Sequence, residues 1–276
     1  MAVRGHVKGV DMLKKAHTLA GWTGWIFTAG FLLACIPPLA FTIPPKLSPS
    51  ATPLEVKEFY LDHLIEIRAG AWIGMVASAF YYPWGAAIAA MTRRIENGRP
   101  PILTYTQLGA VGVAVFNSVL YFFWMAFCAF RPEDMAPELL RTLNDFEFIL
   151  LEFEVFPLSL WAVAIGLAIL CDKSERPVFP RWSAWVNFWF AGLVMTGQFM
   201  IFFHSGPIAW NGALALYWPA FVFFVWICVM SALVIQGVKR EDGVTPAADQ
   251  SLYPAGPDTP APQDVSEFRA SVGSAK

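Results

Sequence analysis

Asp145, Glu147, Glu152 and Glu154 stand close together in a stretch otherwise dominated by Phe, Leu and Ile, which leads into Val155-Phe156-Pro157. Carboxylates in such surroundings are candidates for binding a proton or a cation, because an acid is costly in hydrocarbon and needs compensation there. On a helix, seven residues make nearly two turns, so Asp145 aligns with Glu152 and Glu147 with Glu154. The two pairs fall about 200° apart, on nearly opposite faces. Lipid cannot cover both. Either the turn stands above the hydrocarbon, or protein encloses it on both sides. Pro157 bears on the second reading. It offers no N–H to the carbonyl of Phe153 and kinks the helix beside Glu152 and Glu154. The candidate ligand- or ion-binding set is Glu152 and Glu154 with Gln198, His204 and Arg68.

Histidine is scarce: His6, His17, His63 and His204. His63 and His204 belong to the same side of the topology derived below, and with Glu66 they form a candidate metal set of two imidazoles and a carboxylate. Its local spacing is a single His63-x-x-Glu66, and interfacial histidines bonded to carboxylates or water are the favoured reading. Cys35, Cys128, Cys171 and Cys228 lie in or at the ends of apolar runs with no C-x-x-C, which reads as buried thiols. No nucleotide loop, nucleophile elbow, H-E-x-x-H or EF-hand spacing occurs, so no cofactor is implied.

The elements that must carry these residues follow from the hydropathy pattern. Of 276 residues, 57% are hydrophobic and 14% charged, where soluble domains carry roughly 25% charged. Lipid must solvate much of such a chain. The net charge of −2, with no basic stripe, argues against a nucleic-acid partner. Apolar runs lie near residues 16–41, 69–91, 108–130, 155–171, 182–203 and 213–237. Each is close to the ~20 residues that cross a ~30 Å hydrocarbon core. The first is too long for a signal-peptide core of about 7–15 residues.

The expected fold is an all-α membrane protein, a six-transmembrane-helix bundle of three helical hairpins. A cytoplasmic segment (1–15) precedes the transmembrane domain (16–240), and a proline-rich disordered cytoplasmic tail (241–276) follows it. With the amino terminus inside, the outer side holds only Lys46, Lys57, Arg68, Arg131 and Arg141 of the 19 Lys and Arg. That obeys the positive-inside rule at every loop. Both termini are placed in the cytoplasm of a plasma (inner) membrane. The outer loops are acidic, which would concentrate cations, although the same rule leaves outer loops acidic by default.

Thr52-Pro53-Leu54-Glu55 fits a capping box with proline at the first helical position. It predicts an amphipathic extracytoplasmic helix in the first outer loop, running through 54–68 toward the second span. Glu55, Glu58, Asp62 and Glu66 share one stripe; Leu54, Leu61, Leu64, Ile65 and Ile67 spread over the other side. Gly70, Gly74 and Ser78 repeat every four positions, which suits close helix packing within the chain or a homodimer seam. Pro83, Pro157 and Pro219 each follow an aromatic residue inside a span. Asn117, Asn187 and Gln198 are polar residues within spans three and five, suited to hydrogen bonds across helix interfaces. Tyr121, Phe122, Trp124, Phe153, Phe156, Phe199 and Phe202 crowd the outer half, as an interfacial belt or as the lining of a pocket.

Three functions are compatible with this pattern: a small transporter or permease-like protein with an outer-half acidic cavity, a noncatalytic membrane subunit or scaffold, or a membrane-embedded enzyme acting on a lipid-soluble substrate. The absence of a catalytic motif weighs against the last. The implied partners are the lipid bilayer, a second copy or another membrane protein, and a small apolar or cationic solute.

Overall fold

Residues 2–37, 39, 43–96 and 100–240 are described by the computed structural model, with side chains from residue 12 onward. Nine α-helices occur among them: α1 (Ala2–Cys35), α2 (Pro53–Asp62), α3 (Leu64–Ala79), α4 (Tyr81–Arg93), α5 (Ile102–Cys128), α6 (Pro137–Leu151), α7 (Val155–Cys171), α8 (Trp182–Leu193) and α9 (Trp218–Arg240). Six segments are long and apolar enough to cross a membrane: Met12–Cys35, Leu64–Arg93, Ile102–Cys128, Pro137–Cys171, Trp182–Phe202 and Ala213–Arg240. The chain is a multi-pass α-helical membrane protein. Its outward-facing large apolar side chains, among them Trp72, Phe116, Leu160, Trp189 and Phe221, are what a lipid-solvated surface requires. The expected tail, 241–276, lies outside the described residues.

Four of the six spans are interrupted, and proline chemistry explains three of the breaks. Span two breaks at Phe80, three residues before Pro83. Span four breaks at Glu152–Glu154, just before Pro157. Span five tightens into a 3₁₀ helix over Val194–Phe202. Span six opens with a π turn, Ala213–Tyr217, and Pro219 follows at the second residue of α9. Each proline lacks the N–H that would bond four residues back, so the preceding turn adopts another pattern. Span four is consequently longer than the run 155–171, because α6 continues it on the far side of a three-residue break.

The capping box at α2 is present: Thr52 N donates to Glu55 Oε2 at 2.7 Å, and Glu55 N donates to Thr52 Oγ1 at 3.3 Å. The helix ends at His63 and restarts as α3, so it does not run unbroken into the second span. Its buried side also differs from the expected stripe. Val56 and Tyr60 face α6, while Leu54, Leu61 and Ile65 are exposed. The Gly70, Gly74, Ser78 ridge packs within the chain. A methyl on Gly74 would collide with the Phe122 ring of α5, and Ser78 Oγ shares a 2.7 Å hydrogen bond with Ser118 Oγ. Small residues let these two backbones approach. No disulfide joins the four cysteines, all of which lie among the described residues. Cys35 and Cys128 are buried, Cys228 is half-buried, and Cys171 departs from expectation by being exposed at the last residue of α7.

Candidate functional site

Three of the four interruptions, those of spans four, five and six, meet at one cavity. Glu152 closes α6 and Glu154 precedes α7, both with φ and ψ near −90° and 0°. The turn is held by short-range bonds: Glu152 N to Ile149 O (3.2 Å), Phe153 N to Leu150 O (3.0 Å) and Val155 N to Glu152 O (3.3 Å). It leaves Phe153 pointing outward at 57% exposure and turns both carboxylates inward, at 7% and 8%. Protein therefore encloses the acids, whatever their depth in the bilayer.

Both carboxylates line a cavity that is partly open to the outside. Its walls come from the second half of α1 (Phe27, Phe31), the middle of α5 (Asn117, Ser118, Tyr121) and the first turns of α9 (Phe223, Phe224). The π turn contributes Leu216, and the α8 boundary contributes Val194. Glu152 Oε2, Glu154 Oε2 and Asn117 Oδ1 are buried with no hydrogen-bond partner among the described residues. An unpaired buried acceptor costs about 1–3 kcal/mol, more if charged. Three at one cavity mark a place where something polar is expected to bind.

Gln198 belongs to this site. Its Nε2 donates to the Glu152 carbonyl, which fixes the turn against the 3₁₀ stretch. Gly197 beside it provides the room, because a Cβ there would overlap the Glu152 carboxylate. The other sequence candidates lie elsewhere. Arg68 is exposed and donates from Nε to Ala129 O (2.9 Å) and from Nη2 to Phe130 O (2.7 Å), capping the end of α5. His204 is exposed, with Asp145 as its electrostatic neighbour. His63 stands 2.6 Å from Lys46 Nζ, in contact with the Phe59 ring. The set His63, Glu66 and His204 is not gathered: among the described residues no three His, Cys, Asp or Glu side chains are placed to hold a metal ion.

Two features escaped the sequence reading. Glu147, only 4% exposed, makes a separate polar cluster: Tyr60 Oη lies 3.2 Å from Glu147 Oε2 and 3.3 Å from Asn144 Oδ1. Burial pushes the Tyr60 hydroxyl well above its ordinary value, and the nearby Glu147 charge adds to the effect. The second feature is a knot of indoles. Trp84 lies 5.6 Å from Trp161 and 5.3 Å from Trp226, and Trp161 lies 5.5 Å from Trp226, all ring to ring and edge to face. Tyr81 packs on Trp84 and Trp161 and lies within electrostatic reach of Glu154, which joins the knot to the cavity. Each of the three proline-broken spans supplies one indole. The signal was a tryptophan downstream of each intramembrane proline, but the intervals differ, so only the folded helices bring the rings together.

No protein-family model matches this chain, and no match is found among curated proteins or solved structures.

Proposed function

We propose that this protein is a small transporter or permease-like protein in which Glu152 and Glu154 form the solute- or proton-binding centre. The observation that carries this reading is a pair of enclosed, unpartnered carboxylates at a break in a spanning helix, lining a cavity. Irregular backbone inside a membrane protein is tolerated where it is buried in protein or lines a cavity. Interrupted helices around a central site are the usual architecture for moving ions and solutes. A scaffold that docks partners through these acids would need them exposed. We place both termini in the cytoplasm, the six spans in three hairpins, and α2 in the first outer loop, on the strength of the Lys and Arg distribution.

The test is proton entry into liposomes containing the purified chain, driven by an imposed negative-inside potential and followed with an entrapped pH dye. Wild-type vesicles should acidify faster than empty ones, and Glu154→Gln should lower the protein-dependent rate at least tenfold. A folded Glu154→Gln protein that conducts at the wild-type rate would overturn the assignment of Glu154.

A further inference from the structure

The cavity's own chemistry narrows what it holds. We infer that its ligand is a primary ammonium carrying an apolar, aromatic-sized substituent; this deepens the transporter reading and uses the same site.

The argument starts from which groups are missing partners. The three orphaned atoms at the cavity, Glu152 Oε2, Glu154 Oε2 and Asn117 Oδ1, are all acceptors. A protonated primary amine carries three N–H donors and no acceptor, which complements that set group for group. Among the described residues no Lys, Arg or His lines the cavity, so an anion would meet two carboxylates and no compensating charge there. Two acids facing one cavity repel each other unless a proton or a cation lies with them. Glu154 feels the Glu152 charge directly, so a single bound cation relieves both.

The walls decide between a bare ion and an organic one. Calcium takes six to eight oxygen ligands, and magnesium keeps much of its own water. Two carboxylates, one amide oxygen and the Ser118 hydroxyl reach calcium's minimum of six only if both acids bind through both oxygens, Ser118 Oγ already shares a hydrogen bond with Ser78 Oγ, and most of the lining is apolar. Phe31 meets Phe27 at 5.5 Å and Phe224 at 5.6 Å, and Phe223 meets Phe224 at 5.2 Å. Ring faces attract organic cations and bury apolar tails. An ammonium head on the carboxylates with its tail among these rings uses every kind of group the cavity offers.

The experiment is equilibrium binding by calorimetry, with the full chain in detergent at neutral pH. Phenethylammonium is the probe; phenethyl-trimethylammonium keeps the charge and tail without N–H groups, and 3-phenylpropanoate keeps the tail with the opposite charge. Phenethylammonium is expected to bind saturably. The trimethylated probe should bind at least tenfold more weakly and the carboxylate not at all. Glu154→Gln and Asn117→Leu, each checked for native near-ultraviolet dichroism, should each weaken phenethylammonium at least fivefold. Absence of saturable binding would overturn the inference, as would equal affinity for the trimethylated probe. Equal affinity in Glu154→Gln would identify detergent partitioning and overturn it too. Glu154-dependent proton entry without ammonium binding would sink the ligand class and leave the transporter reading standing. Ammonium binding without any flux of proton or amine would support the ligand class and sink the transporter reading.

Discussion

Glu152 is held from two directions, by Gln198 on its carbonyl and by the bare face of Gly197 against its carboxylate. Gly197→Ala must therefore push that carboxylate aside. Overpacking of this kind costs about 1–3 kcal/mol, and the cost should largely vanish when Glu152 is also replaced by alanine. A double-mutant cycle of thermal stability in detergent reads this coupling; additive effects would show that the two residues do not press on each other. Tyr60 offers a second test. Tyr60→Phe removes the one hydroxyl proton that Glu147 and Asn144 share, at a cost of about 1–3 kcal/mol. It also changes the alkaline limb. The hydroxyl's folded value is raised above the ordinary 10.0, so its contribution is intact below pH 10 and fades as pH rises toward the folded value. The slope is at most about 1.4 kcal/mol per pH unit. The phenylalanine variant should lack this part of the alkaline loss, and an unchanged alkaline profile would place the titration elsewhere. These local contacts were beyond the sequence, since Tyr60 and Glu147 are 87 positions apart.

Helices and their interruptions were more legible. Proline chemistry marked Pro83, Pro157 and Pro219, and a break accompanies each one. The enclosure of Glu152 and Glu154 was one of two readings, because a hydropathy pattern reports how apolar a segment is and not which neighbour covers it. Pro157→Ala would return an N–H able to bond the Phe153 carbonyl and favour a continuous α6–α7 helix. The expected result is a higher melting temperature in detergent together with lost ligand binding or flux, a trade seen where a local irregularity serves function. Full activity in that variant would show that the break itself is dispensable. The indoles allow a comparison between two helices. Trp226 Nε1 donates to Asn187 Oδ1 at 2.9 Å, whereas Trp161 Nε1 has no partner among the described residues. Trp226→Phe should therefore destabilise the bundle by about 1–2 kcal/mol more than Trp161→Phe, because it alone leaves a buried acceptor stranded. Equal losses in chemical denaturation would mean that the Asn187 bond contributes nothing.

For the whole molecule, the count of apolar runs anticipated six spans, since length and hydropathy alone decide what crosses a bilayer. Sidedness is testable by single-cysteine labelling in intact cells. In a cysteine-free background, positions 58 and 139 should react with an impermeant maleimide, and position 175 only after permeabilisation. Positions 152 and 154 should resist in both conditions, and rapid labelling there would return the acids to the solvent. One consequence of the fold concerns mechanics. Arg68 grips the carbonyls of Ala129 and Phe130, and Lys57 Nζ grips those of Glu133 (2.9 Å) and Met135 (2.8 Å). Two cations thus rivet the segment around α2 and the start of α3 to the connection between α5 and α6. These four bonds span 61 to 78 positions of sequence, so they clasp two connections that the chain by itself leaves far apart.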